Sequence, residues 1–343
     1  MIYDEEIQAR KIYETLTIEI LESIDESEIS IEGTGAHWHC LVTLNERECR
    51  IDCMGSSGYA VSFNSHNATE ANGRTKSENQ VVSATTAWLR NGNLQEMYRL
   101  FEFVDYQKRS LSKVMEIFKK QYPECVQEIN INLNQNFAGN FHLELVTKDR
   151  FCKVYLWGED ITPTYEFYWD DCKLFSFIQK DIESLLLMKL WLYEYQMPTQ
   201  LEQSFPWLDT GKLAKYYEEG RGVEGEFILS WDYVEEFYNR RLSFIPNPDD
   251  ILRMISQLRE KGYDKTLRAG HSMPTLILSR ARRHGFMTQY ITFDFLTKGM
   301  KVTATLDTDQ KLSLPNIELT QQVEELLQQL EAKDLELAPQ FWR

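Results

Sequence analysis

Histidine and cysteine side chains cluster in one short stretch near the start of the chain. His37, His39, Cys40, Cys49 and Cys53 are of the residue types that zinc prefers as ligands. If this stretch forms strands, the two histidines point away from Cys40, and Cys49 and Cys53 lie roughly 13 Å apart. The stretch also lacks the Cys-X-X-Cys pair typical of structural zinc sites. We therefore predict that these cysteines belong to the core and that the chain binds no metal or cofactor.

Other side chains that could act in catalysis lack a supporting motif. His39 and His142 occupy equivalent positions in two similar segments, and Cys152 and Cys172 are further thiols. The sequence contains no nucleophile motif of the Gly-X-Ser-X-Gly type and no glycine-rich phosphate-binding loop. A hydrolase that uses the two histidines is an alternative, but the sequence favours a protein without catalytic residues.

Basic side chains are concentrated in one segment late in the chain. The net charge of this segment is positive, whereas that of the start of the chain is negative. Residues 1–64 hold 13 acidic and 4 basic side chains, whereas residues 265–301 hold 7 basic and 1 acidic. The candidate site in this segment consists of Arg268, Arg280, Arg282, Arg283 and His284. These residues could contact phosphate groups, including those of a nucleic acid. We favour a contact with the acidic start of the same or a neighbouring molecule, and another acidic partner is a third alternative.

A second candidate surface is an aromatic strand. Tyr165, Phe167 and Trp169 point to one face of the predicted strand, and Tyr168 points to the other. Such a strand is either an exposed platform for a partner or is covered by another part of the chain. We expect it to be buried beneath residues 197–247, which also contain many aromatic residues.

The elements that carry these residues form a repeated pattern. Apolar residues alternate with polar ones on both sides of short polar turns at 45–46, 148–149 and 298–299, and this alternation is typical of strands with one buried face. The three copies are related by shifts of 103 and then 150 residues. If the first turn has two residues, then Trp38 lies opposite Cys53, Cys40 opposite Ile51, and Val42 opposite Cys49.

Each hairpin has a further predicted strand on either side, and a predicted helix before and after. This order predicts an α+β fold of three tandem units, each a helix, a four-stranded antiparallel sheet and a helix. The units span 1–108, 109–196 and 248–343, with an inserted segment of short helices or irregular structure at 197–247. The second helix of the second unit is predicted at 173–195.

Composition and charge restrict the class of protein. The chain has 343 residues and a net charge of −16, which opposes non-specific binding of the whole chain to nucleic acid or anionic membranes. Its start lacks the basic and apolar regions of a signal peptide, and no apolar run is long enough to cross a bilayer. We expect a cytoplasmic protein with reduced cysteines and no membrane partner.

These observations together predict a non-enzymatic protein-interaction module. The repeated units, the aromatic content of 13% and the absence of catalytic motifs favour an adaptor, an inhibitor or an accessory subunit of a larger cytoplasmic assembly. Its partner is expected to be another protein. The alternatives are a subunit that contacts nucleic acid through the basic loop of the third unit, and a hydrolase without a recognised motif.

Overall fold

The computed structural model of the protein describes residues 3–21, 27–90, 92–135, 141–156, 162–283, 285 and 287–337. Over these residues the chain is a mixed α+β protein with three antiparallel five-stranded sheets and 11 helices. Its residues group into two compact units: Met1–Thr147, Cys152–Tyr165 and Ile178–Lys189 form one, and Lys148–Phe151, Glu166–Phe177 and Leu190–Arg343 form the other. None of the helices in the described ranges is both long and apolar enough to cross a bilayer.

The first sheet and its two helices form repeat 1. Its elements are α1 (Asp4–Leu21), β1 (Glu28–Thr34), β2 (His37–Leu44), β3 (Arg47–Cys53), β4 (Tyr59–Ser65), β5 (Ala68–Thr75) and α2 (Glu78–Leu89). Ile12, Leu16 and Ile20 recur at helical spacing and are fully buried, because α1 packs on β1, β2 and β3. The helices therefore cover one face of the sheet.

The second sheet has the same strand order and belongs to repeat 2. After α3 (Leu94–Leu100), its elements are α4 (Tyr106–Gln121), β6 (Asn130–Gln135), β7 (Phe141–Val146), β8 (Arg150–Tyr155), β9 (Thr164–Trp169), β10 (Cys172–Ile178) and α5 (Asp181–Leu192). The strands form a meander, since strands that are consecutive in sequence are neighbours in the sheet. Leu143 and Leu145 alternate with half-buried residues, as expected of a sheet with one face in the core.

The insertion and repeat 3 complete the chain. The insertion holds α6 (Pro198–Ser204), α7 (Gly211–Glu218) and α8 (Gly222–Asn239); repeat 3 holds α9 (Pro248–Glu260), α10 (Tyr263–Thr266), β11 (Arg268–Ser272), β12 (Thr275–Ser279), β13 (Tyr290–Phe295), β14 (Met300–Thr305), β15 (Gln310–Leu314) and α11 (Gln321–Glu331). Trp231, Val234 and Tyr238 of α8 lie in the same core as the third sheet. This helix has 18 residues and is longer than the short helices predicted for the insertion.

The predicted register of the first hairpin is confirmed. Trp38 pairs with Cys53, and Cys40 pairs with Ile51. Val42 pairs with Cys49, as expected. The register follows from the sequence because a slip of one residue would move every one of these apolar side chains to the other face.

The number of strands was predicted wrongly, because each sheet has five strands rather than four. The missed strands are β5, β10 and β11. β5 buries only Ala71 and lies at the sheet edge, so it lacks the apolar alternation that marks a strand. β10 is apolar on both faces and runs into α5 after a short connection, and its pattern is therefore indistinguishable from the helix predicted at 173–195.

The third predicted hairpin occupies a different position in its sheet from the other two. The hairpins in repeats 1 and 2 are strands two and three of their sheets, whereas β13 and β14 are strands three and four. In repeat 3 the connection between strands two and three is the long segment 280–289. The short-turn pattern therefore identified the next hairpin along the chain, so the predicted shift of 150 residues does not relate equivalent strands.

The turn of that hairpin contains a glycine that the fold requires. Gly299 has a φ of 77°, and a Cβ atom there would overlap the backbone carbonyl oxygen of Leu314. We expect Gly299→Ala to lower the free energy of unfolding by about 3 kcal/mol, because the backbone of β15 would have to move. The matched control is Gly211→Ala, where φ is 76° but no atom lies near the Cβ position, and the expected loss is about 1 kcal/mol. Equal losses in urea denaturation would show that the overlap is relieved without cost.

Candidate interaction site

The six cysteines are all buried, which confirms the prediction that Cys40, Cys49 and Cys53 belong to the core. Burial raises the pKa of Cys40 and of Cys53 to about 12, and that of Cys172 to about 11. Thiols with such pKa values are protonated at neutral pH, so they are poor nucleophiles and poor metal ligands. Within the described ranges, no three His, Cys, Asp or Glu side chains are grouped as a metal site requires.

Burial of the thiols leads to a simple expectation for their reactivity. In the native protein at pH 8, none of the thiols should react with a chromogenic disulfide within minutes. The fraction of each thiol present as thiolate is low, and burial keeps the reagent away from the sulfur atoms. All six cysteines should react once the protein is unfolded in guanidinium chloride. A fast reaction of one thiol in the native state would contradict this assignment and mark that cysteine as accessible.

The two histidines at equivalent positions lie on separate sheets and each has a local partner. The Nε2 atom of His39 on β2 lies 3.6 Å from a carboxylate oxygen of Glu32. The ring of His142 on β7 stacks on Tyr155 with a centroid distance of 5.4 Å, and burial lowers the pKa of His142. Each of the two histidines thus has a contact with a residue of its own sheet.

The aromatic strand β9 is part of the core. Tyr165 and Phe167 are 1% and 0% exposed, and Trp169 is half-buried, so the alternative of an exposed aromatic platform is wrong. Phe167 is surrounded by the rings of Phe175, Phe177 and Trp191, with centroids at 4.8, 5.5 and 6.3 Å. Residues of the insertion supply further cover at the end of the strand, as described below.

Arg282 of the basic loop forms a buried ion pair with the insertion. Its Nη2 atom lies 2.5 Å from a carboxylate oxygen of Glu226 on α8, and the two side chains are 13% and 3% exposed. The same guanidinium donates a hydrogen bond of 2.8 Å to the hydroxyl oxygen of Tyr217 on α7, and Tyr217 donates to Glu226. The three side chains thus form a closed polar cluster that joins α7, α8 and the loop.

The other described arginines of this candidate site bind backbone carbonyl groups. Arg268 donates to the carbonyl oxygen of Arg282 at 2.8 Å, and Arg283 donates to that of Asp171. Arg280 donates to the carbonyl oxygen of Glu331 at 2.8 Å. His284 lies outside the described residues. The loop therefore contacts the insertion, the β9–β10 turn and the end of α11.

An arginine of this kind recurs in all three repeats. Arg47 at the start of β3 donates to the carbonyl oxygens of Trp88 and Gly92, at 2.5 and 2.8 Å. Arg150 at the start of β8 donates to those of Trp191 and Gln196, at 3.2 and 2.7 Å. Arg280 occupies the connection between the same two strands in repeat 3. Each guanidinium thus satisfies carbonyl groups near the C-terminus of the second helix, which is also the negative end of its dipole.

The arginines lie at one end of each sheet, which we call the turn end. It carries the connections between strands two and three and between strands four and five, beside the C-terminus of the second helix. In repeat 1 the turn end holds an open cleft of about 830 Å³, lined by residues that include Asn45, Glu46, Arg47, Ser65, His66 and Arg90. A smaller cleft of about 300 Å³ lies at the turn end of repeat 3, beside Asp307 and Lys333.

The turn end of repeat 2 is filled by side chains from the insertion and the basic loop. The ring of Tyr217 lies 5.9 Å from that of Trp169, and Arg283 binds the carbonyl group of Asp171. The guanidinium of Arg150 lies 4.3 Å from the Trp169 ring centroid, and Arg150 is only 2% exposed. The basic loop therefore takes part in an internal contact at this turn end.

Comparisons with models of protein families, with curated proteins and with solved structures find no significant match to this chain. Geometry is therefore the basis of the function proposed below. Sequence reasoning missed the turn end, although one signal was available: the shift of 103 residues that relates the hairpins also relates Arg47 to Arg150 and Trp88 to Trp191.

Proposed function

We propose that this chain is a non-enzymatic protein-interaction module made of three tandem units related by duplication. It would act as an adaptor, an inhibitor or an accessory subunit of a larger assembly, with another protein as its partner. We also propose that it is cytoplasmic, which the free thiols of Cys40, Cys49, Cys53 and Cys172 support.

One observation carries this proposal: the turn end is filled in repeat 2 and open in repeat 1. The fill in repeat 2 has the features of a protein–protein contact, with aromatic rings, arginines and a polar cluster packed together. Repeat 1 presents the same elements around a cleft of about 830 Å³. A surface that binds one part of this chain in repeat 2 is thus suited to bind another protein in repeat 1.

The experiment is affinity capture with the tagged full-length chain from native lysate, divided into nuclease-treated and untreated halves. The proposal predicts a protein that co-purifies in stoichiometric amount in both halves and binds again after purification, in isothermal titration calorimetry. Capture of nucleic acid, with proteins lost on digestion, would overturn it. So would recovery of the chain without any stoichiometric protein.

The same capture distinguishes the alternative in which the basic loop contacts nucleic acid. Nucleic-acid binding would weaken steeply with added salt, because the arginines would release counterions from phosphates. We favour a protein partner because Arg282 is already paired with Glu226 and Arg283 with a backbone carbonyl group.

A further inference from the structure

We infer that the cleft at the turn end of repeat 1 binds a segment of a partner protein in which an aromatic side chain lies next to an arginine or lysine. This inference rests on the proposed function and specifies its site and the chemistry of its ligand. It follows from a comparison of two turn ends that share a backbone framework but differ in what fills them.

The shared framework is visible in the turns. His66 and Asp170 are the first residues after the fourth strand of their sheets, and their φ angles are 50° and 49°. The backbone N–H group of His66 donates to the carbonyl oxygen of Glu46 at 3.1 Å, and that of Asp170 donates to the carbonyl oxygen of Asp149 at 2.7 Å. Together with Arg47 and Arg150, these bonds define equivalent positions in the two repeats.

The difference lies in one side chain and in the neighbouring segments. The last residue of the fourth strand is Trp169 in repeat 2 and Ser65 in repeat 1. In repeat 2 the bulky indole is in turn covered by Tyr217, and Arg283 binds the β9–β10 turn. In repeat 1 the small side chain of Ser65 leaves the cleft open. The groups missing from repeat 1 are thus aromatic rings and a guanidinium.

Repeat 1 is acidic as a whole, and its cleft holds one carboxylate that a basic residue could meet. Residues 4–90, which include all of repeat 1, hold 15 acidic and 7 basic side chains. Glu46 lies at the cleft and is exposed, with a carboxylate oxygen 3.0 Å from Nδ1 of His66. The guanidinium of Arg47 already donates to two carbonyl groups. The cleft lining also holds Arg47 and Arg90, so the basic residue is inferred from Arg283, whose guanidinium binds the β9–β10 turn of repeat 2. In repeat 1 such a residue would pair with Glu46.

The first test fills the cleft from within. Ser65→Trp places at this position the residue type that repeat 2 carries there, so the strand is expected to tolerate it. Binding of the captured partner to the full-length chain should weaken at least about tenfold, as when the central pocket of an interface is lost. The control is Ser56→Trp, an exposed position in the connection between β3 and β4, at the other end of the sheet. The control should bind as the wild type does, and circular dichroism should show both variants folded.

The second test identifies the amino-acid sequence of the segment that occupies the cleft. Benzoylphenylalanine replaces Arg90, at the cleft, or Ser56 as the control, and the full-length chain is irradiated in native lysate. Mass spectrometry should identify, for position 90 only, a cross-linked segment of a second protein that contains an aromatic residue and an arginine or lysine. A synthetic peptide of that segment should bind about three- to tenfold more weakly to Glu46→Lys, because like charges meet, and no more weakly to Arg90→Glu.

Each other outcome contradicts a defined part of the inference. A partner that binds Ser65→Trp normally would show that the proposed function holds but the cleft is not its site. A cross-linked segment that is acidic or lacks an aromatic residue would overturn the assigned ligand chemistry, and a cross-link to a second copy of this chain would replace it with self-association. Absence of any partner would overturn both the inference and the proposed function.

Discussion

Glu226→Leu is expected to lower the free energy of unfolding by about 3 kcal/mol. Glu226 is 3% exposed and its carboxylate accepts from both Arg282 and Tyr217. The substitution keeps the side chain's approximate size, so the loss comes from leaving the Arg282 guanidinium largely buried without a counter-ion, which costs several kcal/mol in proteins. Equilibrium denaturation in urea, followed by tryptophan fluorescence, measures the change.

Two further variants separate the buried charge from other effects. Glu226→Leu combined with Arg282→Met should recover most of the lost stability, because an apolar pair of similar volume removes the unpaired charge. Glu236→Leu on the same helix breaks an exposed pair with Arg240, whose side chains are 63% and 62% exposed, and should change stability by less than about 0.5 kcal/mol. If the double variant is as unstable as the single one, Tyr217 rather than the ion pair is the important partner of Glu226.

Arg150→Met is expected to lower the free energy of unfolding by about 3 kcal/mol. The substitution removes the donor for the carbonyl groups of Trp191 and Gln196 at a position that is 2% exposed, so buried carbonyl oxygens lose a hydrogen bond. It also removes a guanidinium that lies 4.1 Å from the Trp191 ring centroid. Burial lowers the pKa of Arg150 to about 10, which leaves the side chain charged at neutral pH.

The equivalent residue in repeat 1 provides the matched comparison. Arg47→Met should cost only about 1 kcal/mol, because Arg47 is half-buried beside the open cleft and water can reach the carbonyl groups that it leaves. Arg150→Lys should recover little of the loss, since an ammonium group cannot reproduce the planar geometry of the guanidinium. Similar losses for Arg47→Met and Arg150→Met would show that burial at the turn end does not strengthen the contact.

Part of this fold was predictable because the information lies in local alternation. Strands β2 and β3 are apolar on one face only. A single register buries all of the apolar residues on that face, which are Cys40, Val42, Cys49 and Ile51. The edge strand β5 was not predictable in this way, because it is a largely exposed strand of Ala, Thr, Glu, Asn, Gly and Arg residues. Such a strand needs only the backbone of its neighbour to form. Likewise, β10 gives no alternation because both of its faces carry apolar residues.

The candidate site was less accessible to sequence reasoning. Arg280, Arg282 and Arg283 stood out as a basic cluster. Arg280 and Arg283 bind backbone carbonyl groups, which leave no complementary acidic residue in the sequence, and Arg282 pairs with Glu226, 56 residues away. The open cleft depends on the contrast between Ser65 and Trp169, which is meaningful only once the structure shows that the two residues end equivalent strands. Pairing of strands is thus encoded locally, whereas the occupancy of a turn end depends on residues far away in the chain.

The meander order has a consequence for how the chain matures during translation. Each sheet pairs strands that emerge consecutively from the ribosome, and such short-range pairing is fast. The contact between the arginine and its helix spans 41 residues in repeats 1 and 2 and 51 in repeat 3. The contact of Arg283 with Asp171 spans 112 residues. The turn end of repeat 2, with Trp169, is therefore synthesised well before Arg283, which binds its turn, and we expect it to be accessible to chaperones during that interval.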